Sequence, residues 1–161
     1  MKKKKRVQIR PQEDKQGLRN TGERVPTVVV ALLGSVAAST PRLHRLVLEG
    51  LPFAPLERLQ KALGLTGPQV ASLLQIPPRT LARRKTEGRL HPAESDRLLR
   101  TSMLYGKAVE LFGGDRDATR RWFLSPMISL AGNTPFEYAK SEPGAREVER
   151  VIGRLERGVT L

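Results

Sequence analysis

The chain has 161 residues with 29 Lys/Arg against 16 Asp/Glu, a formal net charge of +13, and no cysteine. That length allows one domain or two small ones with a real core, and the missing cysteine excludes a disulfide framework and any thiolate metal site. His44 and His91 stand far apart with no HxxxH or HExxH context, no Gly-rich phosphate loop follows a predicted strand, and no nucleophile–base or paired-carboxylate constellation stands out, so neither an enzyme nor a metal or cofactor site is expected.

The first 24 residues carry nine Lys/Arg against three Asp/Glu and almost nothing apolar. They predict a flexible basic arm, either a DNA contact or a solvated tail. Val25 to Ala38, VPTVVVALLGSVAA, is the long apolar run. It is too short to span a bilayer, Pro26 and Gly34 interrupt it, and the stretch before it holds Glu13, Asp14 and Glu23, unlike a signal peptide. No membrane association is expected. Its Val-rich half favours a strand and its Ala/Leu-rich half a helix, so both forms stay open for an element docked on the core or on a second copy of the chain.

After Ser39-Thr40-Pro41, RLHRLVLEG predicts a helix with Leu43, Leu46 and Val47 on one face, ended by Gly50. A further helix runs from Pro55 to Leu63, with Leu56, Leu59 and Leu63 at helical spacing, and stops at Gly64. Leu65 to Leu90 then reads as two short helices joined by a tight turn. Thr66 is a hydroxyl N-cap with Pro68 in the first turn, and Val70, Ala71, Leu73, Leu74 and Ile76 form one buried face. Pro77 and Pro78 end this helix and open the next, over about 78–87, which Gly88 stops. In that second helix only Leu81 and Ala82 are apolar, leaving Arg79, Thr80, Arg83, Arg84 and Lys85 for the outward face. A linked pair of helices whose second member is rich in arginine suits a helix-turn-helix, in which one helix braces across the phosphate backbone and the other enters the major groove. The charge distribution agrees: residues 77–107 hold eight Lys/Arg against three Asp/Glu, whereas residues 108–161 hold eight of each. A basic first part points to a polyanion, and the neutral last third to a different task.

Pro92 opens a long helix through Phe112 with Leu98, Leu99, Met103 or Leu104, Val109 and Phe112 as its seam. Asp115 caps the next helix, Ala118 to Leu124, which offers Trp122 and Phe123 to the core. Residues 126–133 read as loop or short helix. Thr134 caps a helix with Pro135 at its first position, and Ser141 caps the last helix, whose stripe is Val148, Val151 or Ile152, and Leu155, closed by Gly158.

The run LTGPQVASLLQIPPRTLARRKTEGRLHPAESDRLLR, then FGGDRDATRRWFLSP, then NTPFEYAKSEPGAREVERVIGRLERGV, resembles the Xre-type antitoxins of bacterial toxin–antitoxin pairs whose toxin has a RES domain. The resemblance covers about Leu48 to Leu161. It is most specific in RTLARRK-x-EGRL leading into ESDRL and in TPFEYAKSEPGAREVE, and it departs from the family at Pro77-Pro78, where polar residues commonly open the recognition helix, and in the lysine-rich start.

Beyond the basic arm over 1–24 that composition predicts, the resemblance implies an all-α chain: an N-terminal region with an Xre/Cro-like helix-turn-helix over 25–92, and a helical toxin-binding domain over 93–161. It implies a cytoplasmic, non-enzymatic homodimer that represses its own operon through operator DNA and neutralises a RES-domain toxin, itself similar to an ADP-ribosyltransferase and NAD-depleting. Arg79, Thr80, Arg83 and Arg84 become the DNA-contacting residues, with Lys85 on the same outward face. The toxin-contacting surface falls on Phe136 through Leu161, with Phe136, Glu142, Arg146, Glu147, Arg150, Arg154 and Leu161 as candidates. A stand-alone helix-turn-helix repressor, whose last third only dimerises or senses a ligand, is the competing reading.

Overall fold

The computed structural model describes residues 25–34 and 40–158. The basic arm over 1–24, the end of the apolar run and Leu161 lie outside the described residues. Those described form nine α-helices and no strand: α1 (Thr27–Leu33), α2 (Thr40–Glu49), α3 (Ala54–Leu63), α4 (Gly67–Leu74), α5 (Pro78–Glu87), α6 (Pro92–Leu111), α7 (Arg116–Phe123), α8 (Pro135–Tyr138) and α9 (Glu142–Glu156), with a 3-10 turn at Ile128–Leu130.

The cap residues set most of these limits. Thr66 Oγ1 accepts from the Gln69 N–H while Gln69 Oε1 accepts from the Thr66 N–H, a reciprocal box that starts α4. Thr134 and Glu137 repeat the arrangement at α8. Asp115 Oδ1 accepts from the Ala118 N–H at 2.9 Å, and Ser141 Oγ from the Gly144 N–H at 3.2 Å. Gly64 and Gly88 end α3 and α5 in the left-handed conformation.

α6 is the axis of the fold, packed against α1, α2, α4, α7 and α9. That is why it is buried over so much of its circumference: Leu98, Leu104, Tyr105, Ala108 and Val109 are inside, whereas Leu99, Met103 and Leu111 are only partly covered. The central seam therefore runs through Leu104 and Tyr105, with Met103 at its edge. Phe123 meets Tyr105 edge-on at 6.2 Å, and Trp122 lies half-buried between Phe112 and Phe123.

The segment that composition left open between strand and helix is helical over Thr27–Leu33. Pro26 and Val29 pack on Gly106 of α6, where a Cβ would come within 2.7 Å of Val29 Cγ2. Arg58 of α3 donates to the Leu32 carbonyl at 2.6 Å, so the end of α1 is satisfied by a tertiary contact.

Candidate nucleic-acid interface and partner surface

α4 and α5 meet through a turn that begins at Gln75, in the left-handed conformation with φ +53°. The Gln75 N–H bonds to Ser72 and the Ile76 N–H to Ala71, closing the end of α4 as a glycine usually does. The Gln75 side chain donates to the Lys140 carbonyl at 2.8 Å, and Arg97 of α6 donates to the Leu74 carbonyl at 2.9 Å. Both bonds tie the turn to elements much later in the chain. The proline pair fits this geometry. Pro77 is the extended N-cap whose carbonyl receives the Thr80 and Leu81 N–H groups, and Pro78 is the first helical residue, where a missing N–H costs nothing.

On α5, Arg79, Ala82, Arg83 and Thr86 recur at i, i+3, i+4 and i+7 and all are exposed. They form one outward stripe, with small Ala82 at its centre where a base edge or backbone can approach closely. Thr80 and Leu81 are half-buried at the margin. Lys85 is exposed and ion-paired with Glu57 of α3 at 3.1 Å, and Arg83 lies 3.7 Å from Glu87, contacts that solvent weakens.

Arg84 does not lie on this stripe. Expected on the outward face, it is only 4% exposed. Its Nε donates to both Glu94 carboxylate oxygens at 3.0 and 2.9 Å, and Nη1 donates to Glu87 at 2.9 Å. The reason is rotational. At about 100° per residue Arg84 shares the inner face with Leu81, against the start of α6. Glu94 is also 4% exposed and accepts the His91 N–H at 2.8 Å. Burial alone pushes its carboxyl up, but the Arg84 and His91 hydrogen bonds outweigh this and hold it below the usual range. The Glu94 hydrogen bond raises the Arg84 pKa more than burial lowers it, and Glu87 adds to the rise, so the guanidinium is held above its ordinary value. Burial also raises the Tyr105 phenol.

The second surface is α9. Ala145, Val148, Val151 and Ile152 face the core, and Glu142, Arg146 and Arg150 are exposed on the other side, with Glu147 and Arg154 half-buried. Glu142 pairs with Arg146 at 2.6 Å, and Glu147 pairs with Arg150 at 2.8 Å and Arg154 at 3.3 Å. A shallow groove of about 590 Å³ runs past Arg146, Glu147, Glu149, Arg150 and Arg154 and takes in Gly153 and Arg157, which the sequence pattern did not single out. A four-residue arginine period, 146, 150 and 154, was the available signal. Arg154 Nε is buried without a hydrogen-bond partner. Phe136, expected on this surface, is 3% exposed and belongs to the core, because α8 is a single turn that aims it inward beneath the Thr134 cap.

No helix among the described residues is long and apolar enough to cross a membrane, and none of them form a group of three or more His, Asp or Glu side chains that could hold a metal.

The arrangement defines a class: a helix-turn-helix module joined through one long helix to a helical partner-binding unit. Residues 42–100 match the family described as the antitoxin Xre-like helix-turn-helix domain, and residues 107–158 match the antitoxin Xre/MbcA/ParS C-terminal toxin-binding domain. The chain is 30% identical to antitoxin Xre of Photorhabdus laumondii over 128 residues, 79% of this chain and 86% of that one. It is 44% identical to antitoxin Xre of Yersinia enterocolitica over 85 residues, 52% of this chain and 57% of that relative. For antitoxin Xre of Pseudomonas putida the identity is 31% over 87 residues, 53% of this chain and 54% of the relative. The chain belongs to the Xre antitoxin family. The first family match ends at residue 100 and the second begins at residue 107, both within α6, the helix that joins the two surfaces.

Proposed function

We propose that this chain neutralises a cognate RES-domain toxin, an NAD-depleting protein similar to ADP-ribosyltransferases, through α9, and represses its own operon by binding operator DNA through α5. It does so as a cytoplasmic homodimer that acts by binding and not by catalysis. A two-fold operator would take two recognition helices about one turn of DNA apart.

What supports the reading is the separation of two chemically different faces along α6. The stripe Arg79, Ala82, Arg83 and Thr86 is cationic with a small centre, suited to a groove in DNA. The α9 groove has charges of both signs arranged in pairs, suited to a protein.

The test is co-expression with the product of the neighbouring reading frame, then gel filtration with light scattering and operator titration. Because α9 carries core residues, substitutions are preferable to truncation. Arg150→Glu with Arg154→Glu should abolish complex formation and leave operator binding intact, while Arg79→Ala with Arg83→Ala should do the reverse. A neighbour that is harmless alone and never co-elutes would defeat the antitoxin assignment for that pair.

A further inference from the structure

α7 lies within the stretch matched by the toxin-binding family, yet its exposed cations differ from those of α9. On α9 and α6, Arg146, Arg150, Arg154 and Arg100 each hold a carboxylate. Arg116, Arg120 and Arg121 of α7, and Lys140 after α8, hold none among the described residues. The acidic groups nearby are occupied or turned away. Asp115 caps α7, Glu137 closes the Thr134 box, and Asp117 is exposed on α7 without bridging to Arg116, Arg120 or Arg121.

Two of these cations border α4, Arg120 at the loop that leads into it and Lys140 on a groove along it. The Arg120 guanidinium lies against Gly64, the left-handed residue between α3 and α4, so closely that a Cβ there would overlap it. Just past α7, Leu124 lines a groove of about 410 Å³ with Pro68, Gln69 and Ser72 of α4, and Lys140 stands on the same groove beside Glu137, whose carboxylate is taken up by the Thr134 N–H and hydroxyl. The Lys140 ammonium sits 5.3 Å above the Phe136 ring, and its carbonyl is held by Gln75 of the helix-turn-helix turn. Its position relative to α4 is therefore set by a hydrogen bond as well as by packing.

In a helix-turn-helix the helix before the recognition helix crosses the phosphate backbone. Cations with no carboxylate of their own, one at the loop that leads into that helix and one on a groove along it, suit a polyanion. We propose that Arg120 and Lys140, from the toxin-binding domain, contact the DNA phosphates that flank α4, so that the DNA footprint spans both domains. The inference rests on the operator-binding reading above. The contacts carry no base information. They add affinity and orientation, and specificity stays with α5.

The experiment uses the full chain and a fluorescent duplex from the region upstream of its own gene, with a scrambled duplex as control, titrated by anisotropy at several salt concentrations. For Arg120→Gln with Lys140→Gln, the slope of log K against log salt should fall in magnitude by about 2, at ~0.9 per lost phosphate contact, on both duplexes. The ratio of operator to scrambled affinity should not change, Arg120→Lys with Lys140→Arg should keep the wild-type slope, and co-elution with the toxin should persist. An unchanged slope in the Gln pair, while Arg79→Ala with Arg83→Ala loses operator preference, overturns the proposal and leaves the operator reading standing. Loss of toxin co-elution with an unchanged slope also overturns it and assigns α7 to the toxin. If the wild type shows no preference for the upstream duplex, the operator reading itself fails and takes the proposal with it.

Discussion

Replacing Glu94 by Gln isolates the buried ion pair that fixes the recognition helix on α6. The substitution keeps the shape and one carbonyl acceptor, but leaves the Arg84 guanidinium, only 4% exposed, with Glu87 at 2.9 Å as its one remaining carboxylate. Removing one partner of a buried pair costs about 3–5 kcal/mol, and the retained Glu87 contact places this variant at the low end, about 3 kcal/mol. For a chain of this size that is a fall in Tm of roughly 6–12 °C. Urea unfolding followed by circular dichroism measures it. Combining Arg84→Met with Glu94→Leu should recover about 2 kcal/mol or more relative to the sum of the single losses, since no charge is then left stranded. The pH dependence follows from the same pair. Glu94 is held below its unfolded value of about 4.3, so its contribution is present above that pH and is lost as pH falls through the lower folded value. Glu94→Gln should therefore flatten the acid limb of the stability curve. An Arg84→Ala variant that kept the wild-type urea midpoint yet lost operator affinity would place Arg84 on DNA and refute this account.

Two further outcomes test the packing. Gly50, at φ +86°, faces the Leu90 carbonyl so closely that a methyl group would overlap it, and Gly50→Ala should cost at least ~2 kcal/mol in a urea titration. A cost under a few tenths of a kcal/mol would mean that the α2–α3 and α5–α6 connections, joined by the Leu90 N–H donating to the Leu51 carbonyl at 2.8 Å, part readily enough to admit a methyl group. Phe136→Ala should lower stability by about 3–5 kcal/mol, as expected for a core aromatic. Toxin affinity, measured at a temperature where the variant is folded, should change little, and a selective loss of toxin binding at unchanged stability would return Phe136 to the interface.

The short-range signals were legible in the sequence. Thr66, Asp115, Thr134 and Ser141 each cap a helix through a hydrogen bond spanning three residues, and Gly64 and Gly88 end helices by their own backbone freedom. Such interactions are closed within one turn, so the local sequence contains both partners. The helical spacing of α5 and the proline joint belong to the same class.

Tertiary structure decided what depends on partners far along the chain. Whether residues 27–33 became helix or strand turned on Gly106 and on Arg58 bonding to Leu32. Which arginine of the Arg83-Arg84 pair faces outward turned on Glu94 of α6, and the left-handed turn at Gln75 is braced by Lys140, 65 positions away. The approach of α7 to the first turn of α4 has no local trace at all. Helix caps draw on groups within a turn of each other, whereas the rotation of a helix about its axis is set by whichever charges and apolar side chains the rest of the fold brings beside it.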